Sequence, residues 1–476
     1  MALEAQENNN MYQVPEQVPQ GVFRAYDIRG PVADDSITEN VAYAIGLALG
    51  ATIREAGEDR VVVGRDGRLT SPELSKALIQ GLRETGCSVV FIGVVPSPLT
   101  YFATYHLGTP SGCMVTASHN PKHHNGFKMM VSGETISGDG VMALYHRIQE
   151  RAWTLASELG AYEEVSVEQA YDEAVMQRIS LKRKLKVVVD AGNGAGSEVA
   201  PRLYEALGCD VVPLYCEIDG NFPNHHPDPL IPENCRDLQA AVLREKADCG
   251  LAFDGDADRV GVVTNKGEII WPDQLMMWFV QSILEKHPEQ HVVFDVKCSQ
   301  NLAKVIEASG GKPEMWRTGH SLIKERALAL NAPFAGEFSG HIFFFDDWYG
   351  FDDGVYVGAR LLDLLAQSQE TLHERLEHLP KSVNTPEFMC PVPESEKQTL
   401  MEALLACDPM DHETQRITVD GLRVAFDDGW GLVRCSNTQA VITLRFEADD
   451  DLALARIQQS FKDVLLSVDP ELQLSF

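Results

Sequence analysis

The sequence predicts an α/β protein: three similar mixed α/β domains plus a smaller C-terminal α+β domain around a central cleft. Three observations predict it. A unit of Val-rich strand, loop, amphipathic helix, glycine and second extended run occurs three times. Each copy later reaches an apolar strand that ends in a loop dense with polar and charged residues. The unit is missing from about residue 382 on. Val runs with few alternating polar residues suit strands covered on both faces, as in parallel sheets flanked by helices. Ligands in such sheets bind beyond the carboxyl ends of strands, so equivalent loops of three domains can line one cleft.

Taken in order, residues 1–20 (MALEAQENNNMYQVPEQVPQ) are polar, acidic and Pro-containing, and read as a loose tail without an export signal. Domain 1, residues 21–163, holds "VVVGRDGR" (61–68), the helix-like "SPELSKALIQGLRETG" and the strand "CSVVFIG". Domain 2, residues 164–268, repeats the order as "VVVDAGNG" (187–194), "SEVAPRLYEALG" and "CDVVPLY". Domain 3, residues 269–381, repeats it as "VVFDVKCS" (292–299), "QNLAKVIEASGG" and "KPEMWRTG". Gly86, Gly208 and Gly310 stop the three helices. The remainder, 382–476, alternates as "GLRVAFDDGWGLVRCSN" and "AVITLRFEAD" and closes on the helix "DLALARIQQSFKDVLLSV", which predicts an antiparallel sheet with "DDGWG" as a turn.

At 476 residues, with 44% hydrophobic and 23% charged residues, the chain has the composition of an ordinary globular protein of three or four domains. A formal charge of −30 disfavours nucleic acid or an anionic membrane as the main partner. A local pocket of Arg, Lys and His can still hold a small anion. None of the ten cysteines forms a C-x-x-C pair, which argues against a zinc ribbon or redox motif and fits reduced thiols in a cytoplasm. No apolar stretch is long enough to span a bilayer.

The loaded loops carry the chemistry. "GCMVTASHNPKHHNGFKM" (112–129) runs from a strand into Ser118, His119 and Asn120, with Lys128 following. Serine and histidine there can be nucleophile and base, or simply a turn with hydroxyl caps. In "CGLAFDGDADR", Asp254, Asp256 and Asp258 stand at i, i+2 and i+4, so an extended segment puts all three on one side. Hard carboxylate oxygens suit Mg²⁺. A calcium EF-hand is excluded, because Arg259 stands where that loop needs glycine and Asn265 where it needs glutamate. An aspartyl-phosphate phosphatase remains a rival, with "FFFDDWYGFDDG" as its second acidic loop; so does a solvated acidic turn.

Arg259 sets a cation beside the acidic run, which fits a site for both a metal and a phosphoryl group. A serine phosphomonoester hydrolyses slowly in water, so Ser118 can store a phosphoryl group for a positioned acceptor. In "PFAGEFSGH", Glu337 and Ser339 face the same way and suit two neighbouring sugar hydroxyls. "RCSNT" (434–438) offers Arg434, Ser436, Asn437 and Thr438 in a polar turn able to wrap a phosphate.

Running from "YDIRG" (26–30) through "TASHNP", "DGDADR", "KCS" and "TGHS" to "GEFSGH" and "RCSNT", the sequence resembles the α-D-phosphohexomutase superfamily, most closely its bacterial phosphomannomutase/phosphoglucomutase branch. The resemblance covers nearly the whole chain. It implies that Ser118 is the phosphoserine, with His119 beside it, and that Asp254, Asp256 and Asp258 bind Mg²⁺ together with an oxygen on Ser118. Arg29, Lys128, Arg259 and His341 match the charged groups around the transferring phosphate. Glu337 and Ser339 match the sugar contacts, and Tyr26, Lys297, His320, Arg434, Ser436, Asn437 and Thr438 match the shell for the distal phosphate and sugar.

The implied reaction interconverts hexose 6-phosphate and hexose 1-phosphate, of mannose or glucose, through a hexose 1,6-bisphosphate that is also the activator. A mobile fourth domain would close over it. The implied partner is a phosphosugar alone, with neither nucleic acid nor membrane, on a cytoplasmic monomer with a homodimer as the alternative. Phe338 and the loop "RCSNT" lean away from the phosphoglucosamine branch, whose loop reads R-x-S-G-T. Here "TQA" follows where the family has a proline shortly after the threonine. Phosphoglucosamine mutase and a Mg²⁺-dependent sugar phosphatase are the alternatives.

Overall fold

The Val-rich runs form strands where the sequence places them, at Arg60–Arg65, Lys186–Asp190 and His291–Asp295. Their valines are fully buried, as strands covered on both faces require. Helices Ser71–Glu84, Gly196–Ala206 and Gln300–Ala308 follow them. Each ends at its predicted glycine, with φ of +87° at Gly86, +97° at Gly208 and +79° at Gly310. That left-handed turn releases the chain into the next strand without a Cβ clash.

The computed structural model describes residues 11–436, 440–474 and 476, and its chain divides into two units. The first takes in residues up to Ser180, Val189–Pro229 and Ala252–Asp258; the second takes in Leu181–Val188, Leu230–Leu251 and Arg259–Phe476. The first repeat lies wholly in the first unit and the third wholly in the second. In the second repeat, strands Lys186–Asp190 and Cys249–Phe253 each begin in the second unit and end in the first.

The main sheet of the first unit has the order Ile28–Pro31, His124–Val131, Gly112–Val115, Arg60–Arg65, Ser88–Val94, Tyr162–Glu164. Gly112–Val115 and Ser88–Val94 run parallel to Arg60–Arg65, while His124–Val131 is antiparallel to its neighbour. The second unit repeats this sequence of directions. Lys312–Trp316 and Phe334–Gly336 flank His291–Asp295 in parallel, and Ile342–Phe344 closes the edge antiparallel. The loaded loops therefore leave corresponding strand ends in the first and third repeats.

The C-terminal part forms an antiparallel sheet of Leu422–Phe426, Gly429–Cys435 and Val441–Ala448, flanked by shorter strands. Helix Asp451–Val468 covers one face and buries Ile457, Phe461 and Leu465 against Leu444 and Phe446. Asp450 caps that helix, its side chain accepting the Ala453 N–H.

One expectation needs correcting. Residues 1–10 lie outside the described residues, but over Met11–Gln20 the chain is held rather than loose. Tyr12 and Val18 are buried in the first unit's core, and the Tyr12 ring stacks on Tyr43 at 5.8 Å. Val14, partly buried, packs against the same core, and these apolar side chains tie the segment down. Among the described residues, no helix is long and apolar enough to cross a membrane.

Candidate active site

In the first unit, strand Gly112–Val115 delivers the chain to Ser118, which adopts φ +50°. A serine enters that left-handed region only when its surroundings force it to, and the clamp is Arg68. This arginine is 1% exposed. Its Nη2 donates to the carbonyls of Ser118 (2.6 Å) and Asn120 (2.7 Å), and its Nη1 to those of Pro121 (2.8 Å) and His124 (3.1 Å). Its Nε donates to Asp66 Oδ2 at 3.1 Å. Four carbonyls on one guanidinium fix the loop's path.

Ser118 Oγ then donates to Asp254 Oδ2 at 2.5 Å and lies 3.1 Å from His119 Nδ1. The sequence predicts three acidic residues on one side of an extended segment. The structure corrects that: residues 254–258 form a turn, with Ala257 at φ +56°. Extended residues four apart would stand about 13 Å from each other, too far to share an ion. The turn brings one oxygen of each of Asp254, Asp256 and Asp258 within 4.8 Å of the others, all buried.

Lys128, on strand His124–Val131, donates to Asp256 Oδ2 at 2.6 Å and also pairs with Asp258. Ser97 adds an Oγ–H bond to Asp256 Oδ2 at 2.5 Å and an N–H bond to its carbonyl at 2.9 Å. Arg29 Nη1 donates to Asn120 Oδ1 at 2.9 Å and pairs with Asp27. Tyr26 stands partly buried in the bend before Ile28–Pro31. The three buried carboxylates, with one lysine ammonium on two of them, hold an excess of negative charge that a divalent cation would balance. Asp256 Oδ1, buried and without a hydrogen-bond partner among the described residues, supports the same reading. Oxygen-only donors suit a hard cation.

Gly255 lets the two loops meet, since a Cβ there would lie 2.4 Å from the Ser118 carbonyl oxygen. Gly255→Ala is expected to cost about 1–3 kcal/mol by overpacking and to draw Ser118 away from Asp254. Thermal unfolding and turnover measured together check it.

The second unit gathers another set. His341 Nδ1 lies 3.1 Å from Glu337 Oε2 and 2.9 Å from Ser339 Oγ. Arg259 Nε donates to His341 Nε2 at 3.2 Å, which places the imidazole proton of the neutral ring on Nδ1, facing Glu337. His320 stacks on His341 with centroids 5.3 Å apart, and its Nδ1 lies 3.3 Å from Asp352 Oδ2. Glu337 also accepts the Gly319 N–H at 2.6 Å. Burial pushes its carboxyl up, but His341, Lys297 and the Gly319 N–H outweigh burial and hold it below the usual range.

Lys297 lies 3.7 Å from Glu387 Oε2. Burial alone would lower its ammonium, yet Glu387, Asp295 and Glu337 raise it above the ordinary lysine value. Arg434 Nε donates to Asp420 Oδ2 at 2.9 Å, and the Thr318 N–H donates to the same oxygen at 3.0 Å. Ser436 is set by its N–H bond to the Val441 carbonyl and by Lys397, whose Nζ donates to the Ser436 carbonyl at 2.8 Å. Asn437 and Thr438 lie outside the described residues.

Loop 295–299 has its own clamp. Arg423 donates to the carbonyls of Val296 and Cys298, and Arg445 to that of Lys297. Arg423 lies over the Trp430 ring at 3.6 Å, and burial pulls its guanidinium down to about 10. Sequence reasoning missed Arg68, Ser97, Asp420, Glu387, Arg423 and Arg445. None stands in a motif rich in chemistry, and each acts through backbone or partners far along the chain.

Comparison with known proteins agrees with this architecture. Four models of one family match in order: phosphoglucomutase/phosphomannomutase α/β/α domain I over residues 20–154, domain II over 167–267, domain III over 271–383 and the C-terminal domain over 387–464. A phosphomannomutase/phosphoglucomutase of Pseudomonas putida is 49% identical over 97% of this chain and 99% of its own. A phosphoglucomutase of Neisseria gonorrhoeae is 46% identical over 94% of this chain and 98% of its own. The crystal structure of a phosphoglucomutase/phosphomannomutase family protein from Burkholderia thailandensis superposes with a TM-score of 0.92 at 46% identity, covering 97% of this chain and all of the other. With every domain matched in order and nearly the whole length aligned, this chain belongs to the phosphoglucomutase/phosphomannomutase family of enzymes.

Proposed function

We propose that the protein is a phosphohexomutase that interconverts the 6-phosphates and 1-phosphates of mannose and glucose, using Ser118 as the phosphoryl carrier and a hexose 1,6-bisphosphate as the intermediate. The observation that carries this reading is Ser118 Oγ, buried, held at a left-handed backbone and bonded to the acidic cluster at 2.5 Å. Phosphoryl transfer is mostly positioning and charge neutralisation, and this loop supplies the first through Arg68.

Asp254, Asp256, Asp258 and an oxygen on Ser118 would hold Mg²⁺, which supplies charge neutralisation for the transferring group when bound. In the transfer, the bond from Ser118 Oγ to phosphorus breaks as a sugar hydroxyl takes the phosphoryl group and gives up its proton. The bisphosphate then turns over, and its other phosphate returns to Ser118. Arg29, His119 and Lys128 stand around the carrier. Lys128, His341 and His119 are the candidates to move the hydroxyl proton; the His341 ring is oriented by Glu337, and Arg259 sets its charge beside it. Glu337 and Ser339 take the sugar hydroxyls. Tyr26, Lys297, His320, Arg434 and Ser436, with Asn437 and Thr438, take the distal phosphate and sugar. The domain boundaries 21–163, 164–268, 269–381 and 382–476 are proposed on the same basis.

Assaying free phosphate against sugar isomer tests the reading. Isomerisation of glucose 1-phosphate stimulated by glucose 1,6-bisphosphate, with little phosphate released, is the expected result. Stoichiometric phosphate release without isomerisation would point instead to a phosphatase with Asp254 as nucleophile.

A further inference from the structure

Three times in the sequence a Val-rich strand ends on an aspartate: "VVVGRD" at Asp66, "VVVD" at Asp190 and "VVFD" at Asp295. All three are buried, at 1%, 0% and 0% exposure. A carboxylate persists in such a place only when hydrogen bonds fill its lone pairs, and in each case loops of the same repeat fill them. Asp190 accepts the Gly192 N–H at 2.9 Å and faces His225 Nε2 at 3.0 Å.

Asp66 accepts from the Arg68 N–H (3.0 Å), Arg68 Nε (3.1 Å), Ser71 Oγ (2.5 Å) and Thr116 Oγ1 (2.8 Å). Thr116 Oγ1 in turn accepts the Ser118 N–H at 2.9 Å. Asp66 therefore anchors both the arginine that holds the Ser118 loop and the threonine that holds Ser118 itself.

Asp295 stands at the corresponding strand end in the second unit. It accepts the Phe338 N–H at 2.9 Å, Thr318 Oγ1 at 3.1 Å and Cys298 Sγ at 3.1 Å. These donors come one each from "GEFSGH", "TGHS" and "KCS". Those three loops carry Glu337, Ser339 and His341, then His320, then Lys297.

We propose that Asp66 and Asp295 are corresponding positioning residues, Asp66 fixing the loop that carries the phosphoryl group and Asp295 fixing the three loops that bind the phosphosugar. The inference deepens the proposed mutase reading and rests on it for the identity of the two loop sets. Its consequence is specific: one isosteric substitution at equivalent places in two repeats impairs turnover in one case and binding in the other.

The test is Asp66→Asn beside Asp295→Asn, each confirmed folded by circular dichroism and thermal melting. Loss of loop placement lowers kcat of Asp66→Asn by about 100-fold, while the calorimetric Kd for glucose 1-phosphate stays at the wild-type value. Asp295→Asn weakens that Kd by about 10-fold or more, and its KM rises by a larger factor than its kcat falls. If an asparagine variant fails to fold, Thr116→Val and Thr318→Val carry the comparison, because each removes one bond to the same carboxylates. Equal effects on Kd at the two positions, or an unchanged Kd in Asp295→Asn, overturn the proposal. Wild-type protein that binds glucose 1-phosphate without isomerising it defeats the mutase reading alone, since the Kd comparison still stands.

Discussion

Ser118→Ala is expected to lower isomerase turnover by at least about 10⁴-fold, as removal of a covalent carrier does in other enzymes. Ser118 is 1% exposed and its Oγ is 2.5 Å from Asp254 Oδ2, whereas Ser97, another hydroxyl on the acidic cluster, bonds Asp256. The fold should survive, because the Ser118 main chain is held by Arg68 and Thr116 independently of its side chain. Intact-mass spectrometry of the wild-type protein should find a phosphate adduct that disappears in the variant. Full activity in Ser118→Ala would reject the carrier mechanism outright.

Removing divalent cations should have the next largest effect. With EDTA, turnover is expected to fall to background, and Mg²⁺ should restore it. Asp256→Asn should lower kcat by about 10²–10³-fold, the range seen when one group that stabilises transition-state charge is lost. The same substitution should leave the melting temperature nearly unchanged. Ser97 Oγ can still bond an asparagine oxygen at 256, Lys128 keeps Asp258, and one of three crowded buried carboxylates becomes neutral. A loss of activity matched by a comparable loss of stability would mean that the cluster is structural and holds no ion.

Much of this was legible in advance because it is local. Strand, helix and glycine stop repeat three times, and each follows from periodicity and backbone freedom within about twenty residues. Asp254, Asp256 and Asp258 were legible for the same reason: three acids within five residues cannot be hidden. Their arrangement was not. Alternation along a strand and convergence in a turn are compatible with the same letters, and Ala257 at φ +56° decided for the turn. Met11–Gln20 failed differently. Composition described it as a tail, while Tyr12 and Val18 found a hydrophobic surface made by residues that follow them.

The supports of the site were illegible because they are long-range. Ser97 meets Asp256 across 159 residues, and Arg423 meets Val296 across 127. Arg68 is only the last letter of the run 61–68 in the sequence, and the fold buries it under four carbonyls.

By itself, then, the sequence determined which secondary elements form, that they recur three times, and which loops are dense with acidic, basic and hydroxyl side chains. Only the tertiary structure decided how those side chains are aimed. Aim depends on buried charges finding partners, and a charge that cannot stay buried alone selects the one folding of distant loops that satisfies it.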